Sequence, residues 1–124
     1  MTTPDPTAVP APQESPGATS LDQALLDPTR FSIVSLLAPA RWTEFGFVRD
    51  ALGMSDSALS KQVTTLGRLG YVDVDKGYVG KRPRTWLWLN DQGRAALRGH
   101  VAALEQIAQQ AAAQGARYPN PPRE

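Results

Sequence analysis

The chain has 124 residues, and Pro-rich stretches at both ends leave roughly 95 for one compact domain, which excludes a large multi-domain enzyme. Thirteen Lys and Arg against twelve Asp and Glu give a net charge of +1, so no bulk field commits the chain to nucleic acid or membrane; the placement of charges has to decide. No cysteine and one histidine, His100, exclude disulfides, thiolate metal sites, cysteine nucleophiles and two-histidine chemistry within one subunit, and no cofactor or metal is expected.

Residues 1–19 hold Pro4, Pro6, Pro10, Pro12 and Pro16 among small and polar residues, a composition too poor in large apolar groups to offset the entropy of ordering, and are expected to be disordered. They carry no basic segment followed by an apolar run, and nothing in the chain approaches the ~20 consecutive apolar residues that span a bilayer. A cytoplasmic protein without a membrane partner is expected. From Ser20, a candidate cap, a short helix with Leu21, Ala24 and Leu25 on one face is expected to serve packing or a dimer contact. Asp27-Pro28 then opens a second helix, with Asp27 as cap and Pro28 at the first position, where a missing N–H costs nothing. Phe31, Ile33, Val34, Leu36 and Leu37 make it a core helix, which Pro39 ends.

Beyond Arg41-Trp42, Thr43 is the expected cap of a third helix, in which Phe45, Val48, Ala51 and Leu52 recur at helical spacing until Gly53 stops it. Trp42 falls at a helix junction and reads as core or interface. Ser55 is placed to cap a fourth helix from Asp56 to about Leu69, burying Leu59, Val63, Leu66 and Leu69 and broken by Gly70. Tyr71–Val74 and Thr85–Leu89 alternate as strands, separated by a long, basic, Gly-containing loop over residues 75–84. Asn90 caps a last helix running to about Ala113, with Leu97, Val101, Leu104 and Ile107 along its apolar stripe; residues 114–124 read as a second disordered tail. The domain therefore spans 20–113.

Short helices, a two-stranded hairpin and a trailing amphipathic helix, in that order, describe a winged helix-turn-helix: mainly α with a small β-hairpin, an α+β fold. With Leu59 at the centre of the buried face and ~100° per residue, Ser57, Lys61, Thr64 and Arg68 fall on the opposite face of the fourth helix, flanked by Ser60 and Thr65. Short hydroxyls and cations without acids suit close approach to a duplex, and Ser55 at the helix start adds a group for phosphate. The hairpin brings Lys76, Lys81, Arg82 and Arg84 with no acid between them, a candidate wing for the minor groove or backbone. Residues 55–84 contain six basic against three acidic side chains, so the near-neutral total hides a basic half.

The stretch Met54-Ser55-Asp56-Ser57-Ala58-Leu59-Ser60-Lys61-Gln62-Val63, followed by Leu66, Leu69, Gly70, Tyr71 and Val72, resembles the recognition-helix signature of MarR-like and ArsR-like winged-helix transcriptional regulators. Gly80-Lys81-Arg82-Pro83-Arg84-Thr85-Trp86-Leu87-Trp88-Leu89 resembles the wing of a small stand-alone group within that superfamily, and Leu89–Arg94 the start of its last helix. The resemblance covers about residues 21–108. It implies that Ser57, Ser60, Lys61 and Thr64 face bases and phosphates and that Lys81, Arg82 and Arg84 form the wing contact. It implies also a homodimer joined through the first and last helices, by Leu21, Leu25, Leu97, Val101, Leu104 and Ile107, on a roughly palindromic duplex site. Without cysteine, metal sensing of the ArsR kind is not expected.

The other readings are plainer. Trp86 and Trp88 share one strand face and are expected to pack on the helices. His100 is expected to be exposed or at an interface. Asp73 and Asp75 share a strand face but lack a histidine or nucleophile nearby, so no enzyme is read here. The sequence thus points to a sequence-specific DNA-binding regulator, a dimeric repressor. The alternative is a winged-helix docking module for proteins, which should carry acidic or apolar groups where this chain has Lys61, Arg68, Lys81, Arg82 and Arg84.

Overall fold

In the computed structural model residues 21–120 are described; the expectations for 1–20, including the cap at Ser20, and for 121–124 lie outside them. The first element is a single 3-10 turn, Gln23–Leu26, in place of the expected short helix. Its cap is Asp22, whose Oδ1 accepts the N–H of Ala24 at 2.8 Å and of Leu25 at 3.3 Å. Asp27 follows at once as the cap of α1, Pro28–Leu37, accepting the Arg30 N–H at 3.0 Å, so only one turn fits between the two aspartates.

Thr43 does not cap a helix. Thr43–Glu44 form a short strand, β1, and α2 begins only at Phe45 and runs to Ala51, its cap position Glu44 making no side-chain capping bond. Ser55 caps α3, Asp56–Arg68, accepting the Ala58 N–H at 3.1 Å. Both helices of the pair close in the same way. Gly53 and Gly70 take positive φ, +64° and +82°. Met54 N–H then reaches the Arg49 carbonyl at 2.9 Å, and Tyr71 N–H the Leu66 carbonyl at 3.0 Å, the bonds of a Schellman motif. Leu69, expected in the core, is 38% exposed because it sits at the C-cap, past the last buried position.

The expected loop over 75–84 is strand. β2, Val72–Val79, and β3, Arg82–Leu89, pair antiparallel from Val72 opposite Leu89 to Val79 opposite Arg82. Only Gly80-Lys81 remains as a turn, with φ +66° at Gly80 and no positive φ at Lys81, as a two-residue II′ hairpin turn requires. The third strand is β1, with Thr43 opposite Leu87 and Glu44 opposite Trp86, giving the order β1-β3-β2. Leu87 and Leu89 turn inward with Val72 onto Ile33, Val34, Leu37, Val48, Leu59 and Leu66, and Leu25 joins the same core.

Asn90 caps α4, accepting the Gly93 N–H at 2.8 Å, and the helix runs from Asp91 to Ala116, three residues beyond the expected end at Ala113. Arg94 donates to the carbonyl of Ala38, the C-cap of α1, at 2.6 Å and to that of Ala40, in the turn that follows, at 3.2 Å. The chain divides into two compact units at Arg98-Gly99. Residues 22–98 hold the core, the sheet and the first turns of α4. The described part of the second unit is Leu21 and residues 99–120. There His100 is 1% exposed, so it is not a surface histidine, while Leu104 and Ile107 are 40% and 41% exposed.

Candidate nucleic-acid interface

α3 buries Leu59, Val63 and Leu66 and leaves Ser57, Ser60, Lys61, Thr64 and Arg68 exposed, the division expected from helical spacing. Its start is fixed from α2. The Arg49 guanidinium spans Asp50 and Asp56, at 2.8 Å each, linking the first helix of the pair to the first turn of the second. The hydrogen bond to Asp50, then that to Asp56, raises the Arg49 pKa further, and the same bond holds the Asp50 carboxyl below its usual value. Ser55 Oγ is engaged in capping and lies 3.4 Å from Ser57 Oγ, so the helix begins with two neighbouring hydroxyls.

Two concavities flank the exposed face. One, of about 450 Å³, is lined by Ser60, Lys61, Gln62, Thr64, Thr65 and Arg68 of α3 and by Arg30 of α1. Arg30 is a residue that sequence reasoning missed. Its Nε donates to the Ala24 carbonyl at 2.8 Å and its Nη1 to Gln62 Oε1 at 3.2 Å, so it adds a third guanidinium or ammonium group beside Lys61 and Arg68. Position 30 reads as the one charged residue of a largely apolar helix, and no local signal shows that it reaches α3. The other concavity, of about 390 Å³, lies between α3 and the hairpin; Ser60, Thr64, Lys76 and Thr85 edge a floor that includes Phe45, Val63, Val74 and Leu87. Lys76 therefore belongs to the side of the hairpin that faces α3, away from the tip.

At the tip Lys81 and Arg82 are exposed, beside Tyr78 at 73% and Val79 at 53%, two apolar positions not singled out from sequence. Arg84 is placed differently from its neighbours. Its Nε pairs with Glu44 Oε2 at 2.7 Å and the side chain is half-buried, so much of its charge is answered within the chain. The expected dimer residues are also divided. Leu25 is a core residue and Leu97 packs against the same core, Leu21 and Val101 are half-buried, and only Leu104 and Ile107 stand out in solvent. Among the described residues no cluster of His, Cys, Asp and Glu is arranged for a metal, and no helix is long and apolar enough to cross a membrane.

A capped, cation-bearing helix entered through a tight turn, with a three-stranded sheet projecting a basic hairpin beside it, defines a winged helix-turn-helix, a class of DNA-binding transcriptional regulators and not of enzymes. The chain belongs to the winged helix DNA-binding domain family, whose model matches residues 29–108. It is 24% identical over 78 residues to an uncharacterized protein of Methanocaldococcus jannaschii, covering 63% of this chain and 85% of that one. Among solved structures it resembles a transcriptional regulator homologue from Pyrococcus horikoshii, with 25% identity, a TM-score of 0.67, and coverage of 72% of this chain and 88% of that one. The zinc-responsive MarR family member ZitR of Lactococcus lactis shares the fold at 17% identity and a TM-score of 0.50, over 74% of this chain and 62% of that one.

Proposed function

We propose that this regulator binds duplex DNA sequence-specifically as a homodimer and represses by occluding a promoter. The observation that carries the reading is the convergence of exposed Lys61, Arg68, Lys76, Lys81 and Arg82, with Ser57, Ser60 and Thr64, on α3 and the hairpin beside it. In this reading α3 enters the major groove, where lysine, arginine and short hydroxyls meet base edges and phosphates, and the hairpin follows the adjoining backbone or minor groove. ZitR, which shares the fold, has also been solved in complex with DNA. Exposed Leu104 and Ile107 on α4 support pairing of two copies, and a two-fold axis would set half-sites about one helical turn apart, ~34–36 Å. The absence of acidic side chains from the exposed face of α3 beyond its first turn favours this over a protein-docking role.

Fluorescence anisotropy against the DNA upstream of its own gene and a scrambled duplex, at several salt concentrations, tests the proposal. Five cations per protomer, each neutralising one phosphate, give a log-log salt slope of about −9 for a dimer. Tighter binding to the native duplex with a steep slope is the expected result. No binding to either duplex at low salt would overturn it.

A further inference from the structure

The chain has three tryptophans, and all of them line one concavity that the DNA-binding reading does not use. Trp86 and Trp88 lie two apart on β3, on the sheet face turned away from Leu87 and Leu89 and the core. The strand order then places walls on either side. Trp42, just before β1, stands edge-on to Trp86 with ring centroids 4.7 Å apart and planes at 78°. On the β2 side Asp75 is the register partner of Trp86, and Asp73 that of Trp88. Arg41 completes the lining at the rim beside Trp42, and the space is about 470 Å³, the size of small-molecule sites in general.

Three properties of this cleft point to one ligand chemistry. Trp42 is 56% exposed, a large indole left in water although the fold has an apolar core to offer. Two indole rings near a right angle present π-faces and edges to a single volume, the surfaces on which a further aromatic ring packs edge-on or offset. Asp73 and Asp75 are exposed carboxylates on the same face and enter none of the ion pairs among the described residues, whereas the one cation of the lining, Arg41, stands across the cleft on the β1 side. We infer that the outer face of the sheet is a binding site for a small aromatic ammonium compound, its ring held among Trp42, Trp86 and Trp88 and its ammonium group paired with Asp75. The site is built wholly within residues 22–98 and does not depend on DNA binding.

Because every tryptophan lines the cleft, tryptophan emission excited beyond the tyrosine absorption band reports on this site. The test titrates 2-phenylethylamine into the full chain, excited at a wavelength the ligand does not absorb, with 3-phenylpropionate as a probe of like shape and opposite charge. A saturable change in tryptophan emission with the amine, weakened at least tenfold in Asp75→Asn and retained in Arg41→Gln, is expected. Both substitutions are at exposed positions, and circular dichroism confirms that each variant is folded. The inference is overturned if the amine gives no saturable change up to ~10 mM, weaker than any specific site of this kind. It is equally overturned if phenylpropionate binds as well as the amine, or if Asp75→Asn binds it undiminished. Emission that instead follows dilution of the protein would show a second copy covering the face, which also overturns it.

Discussion

Replacing Gly93 by alanine sets two effects of known size against each other. Gly93 lies in the first turn of α4, where alanine is better than glycine by about 1 kcal/mol on helix propensity alone. The structure opposes this. A Cβ at Gly93 would meet the Tyr71 carbonyl oxygen and come within 2.5 Å of Leu89 Cδ1, where ordinary contacts are 3.4–4 Å. The Tyr71 carbonyl is not free to swing away, because it accepts the Asn90 N–H at 3.0 Å. Sliding the helix outward would strain the Asn90 cap on Gly93 and the bonds from Arg94 to Ala38 and Ala40. Overpacking of this kind costs about 1–3 kcal/mol, and with backbone on one side of the clash the upper end applies. The net is destabilisation by about 2 kcal/mol, or a fall in Tm of roughly 8–16 °C for a domain of this size. Gly115→Ala, in the same helix with nothing within 4 Å of its Cβ, is the matched control and should leave Tm unchanged or slightly raised. Thermal melts followed by circular dichroism read both. A Gly93→Ala protein as stable as the parent would refute the close approach of α4 to Tyr71 and Leu89.

The Tyr71 hydroxyl donates to Asp22, and that bond, then burial, pushes its pKa up to about 12. A folded-state value above the unfolded one, about 10, means that the contribution is complete below pH 10 and lost as pH rises toward 12. The stability difference between the parent and Tyr71→Phe, from urea melts, should therefore be level up to pH 9.5 and shrink from 10 to 12; a level difference throughout would count against the bond. Arg82→Ala should reduce the magnitude of the log-log salt slope of DNA binding by about 0.9 per half-site, and an unchanged slope would remove Arg82 from the backbone contact. Glu44→Gln frees Arg84 from its 2.7 Å pair, so DNA binding should tighten and its salt dependence steepen; weaker binding would mean that the pair holds the wing in its working position. Leu104→Arg should convert dimers to monomers in sedimentation while the monomer keeps its fold by circular dichroism, since the side chain is 40% exposed in the single chain.

The parts of this molecule that can be read from sequence are those whose causes are local. Asp27-Pro28, Ser55 and Asn90 act on amides three residues away, and Gly53 and Gly70 end their helices through their own φ, so these caps and the α2–α3 turn are legible. The exposed face of α3 follows from a 3.6-residue period over a helix long enough to show it. What escapes has partners far along the chain. β1 is two residues long and has no period of its own; it exists because Leu87 and Trp86 are there to pair with it. Residues 75–79 carry Gly77 and charge, and read as loop until the register with β3 overrides their composition. The partnerships of Arg30 with Gln62 and Arg84 with Glu44 join residues with no common local motif, so the sequence does not reveal the first cation and leaves the second among the free charges of the wing. Leu25 looks like a helix-face residue but becomes core because the 3-10 turn brings it onto α1.

The hairpin's unbroken ladder makes its reach quantised. Each strand is eight residues long, and the faces alternate: Lys76 and Thr85 on the side of α3, Asp75 and Trp86 on the other. Lengthening both strands by two residues carries the Gly80-Lys81 turn about 7 Å further out and keeps every side chain on its face. Inserting one residue between Lys76 and Tyr78 of β2 would, if the turn and the outer pairing held, shift the inner register and exchange the faces of that strand. Lys76 would then be delivered to the tryptophan side and Asp75 to the groove beside α3. Relatives that differ in wing length are therefore expected to differ by even numbers of strand residues, with odd changes confined to the turn or absorbed by a bulge.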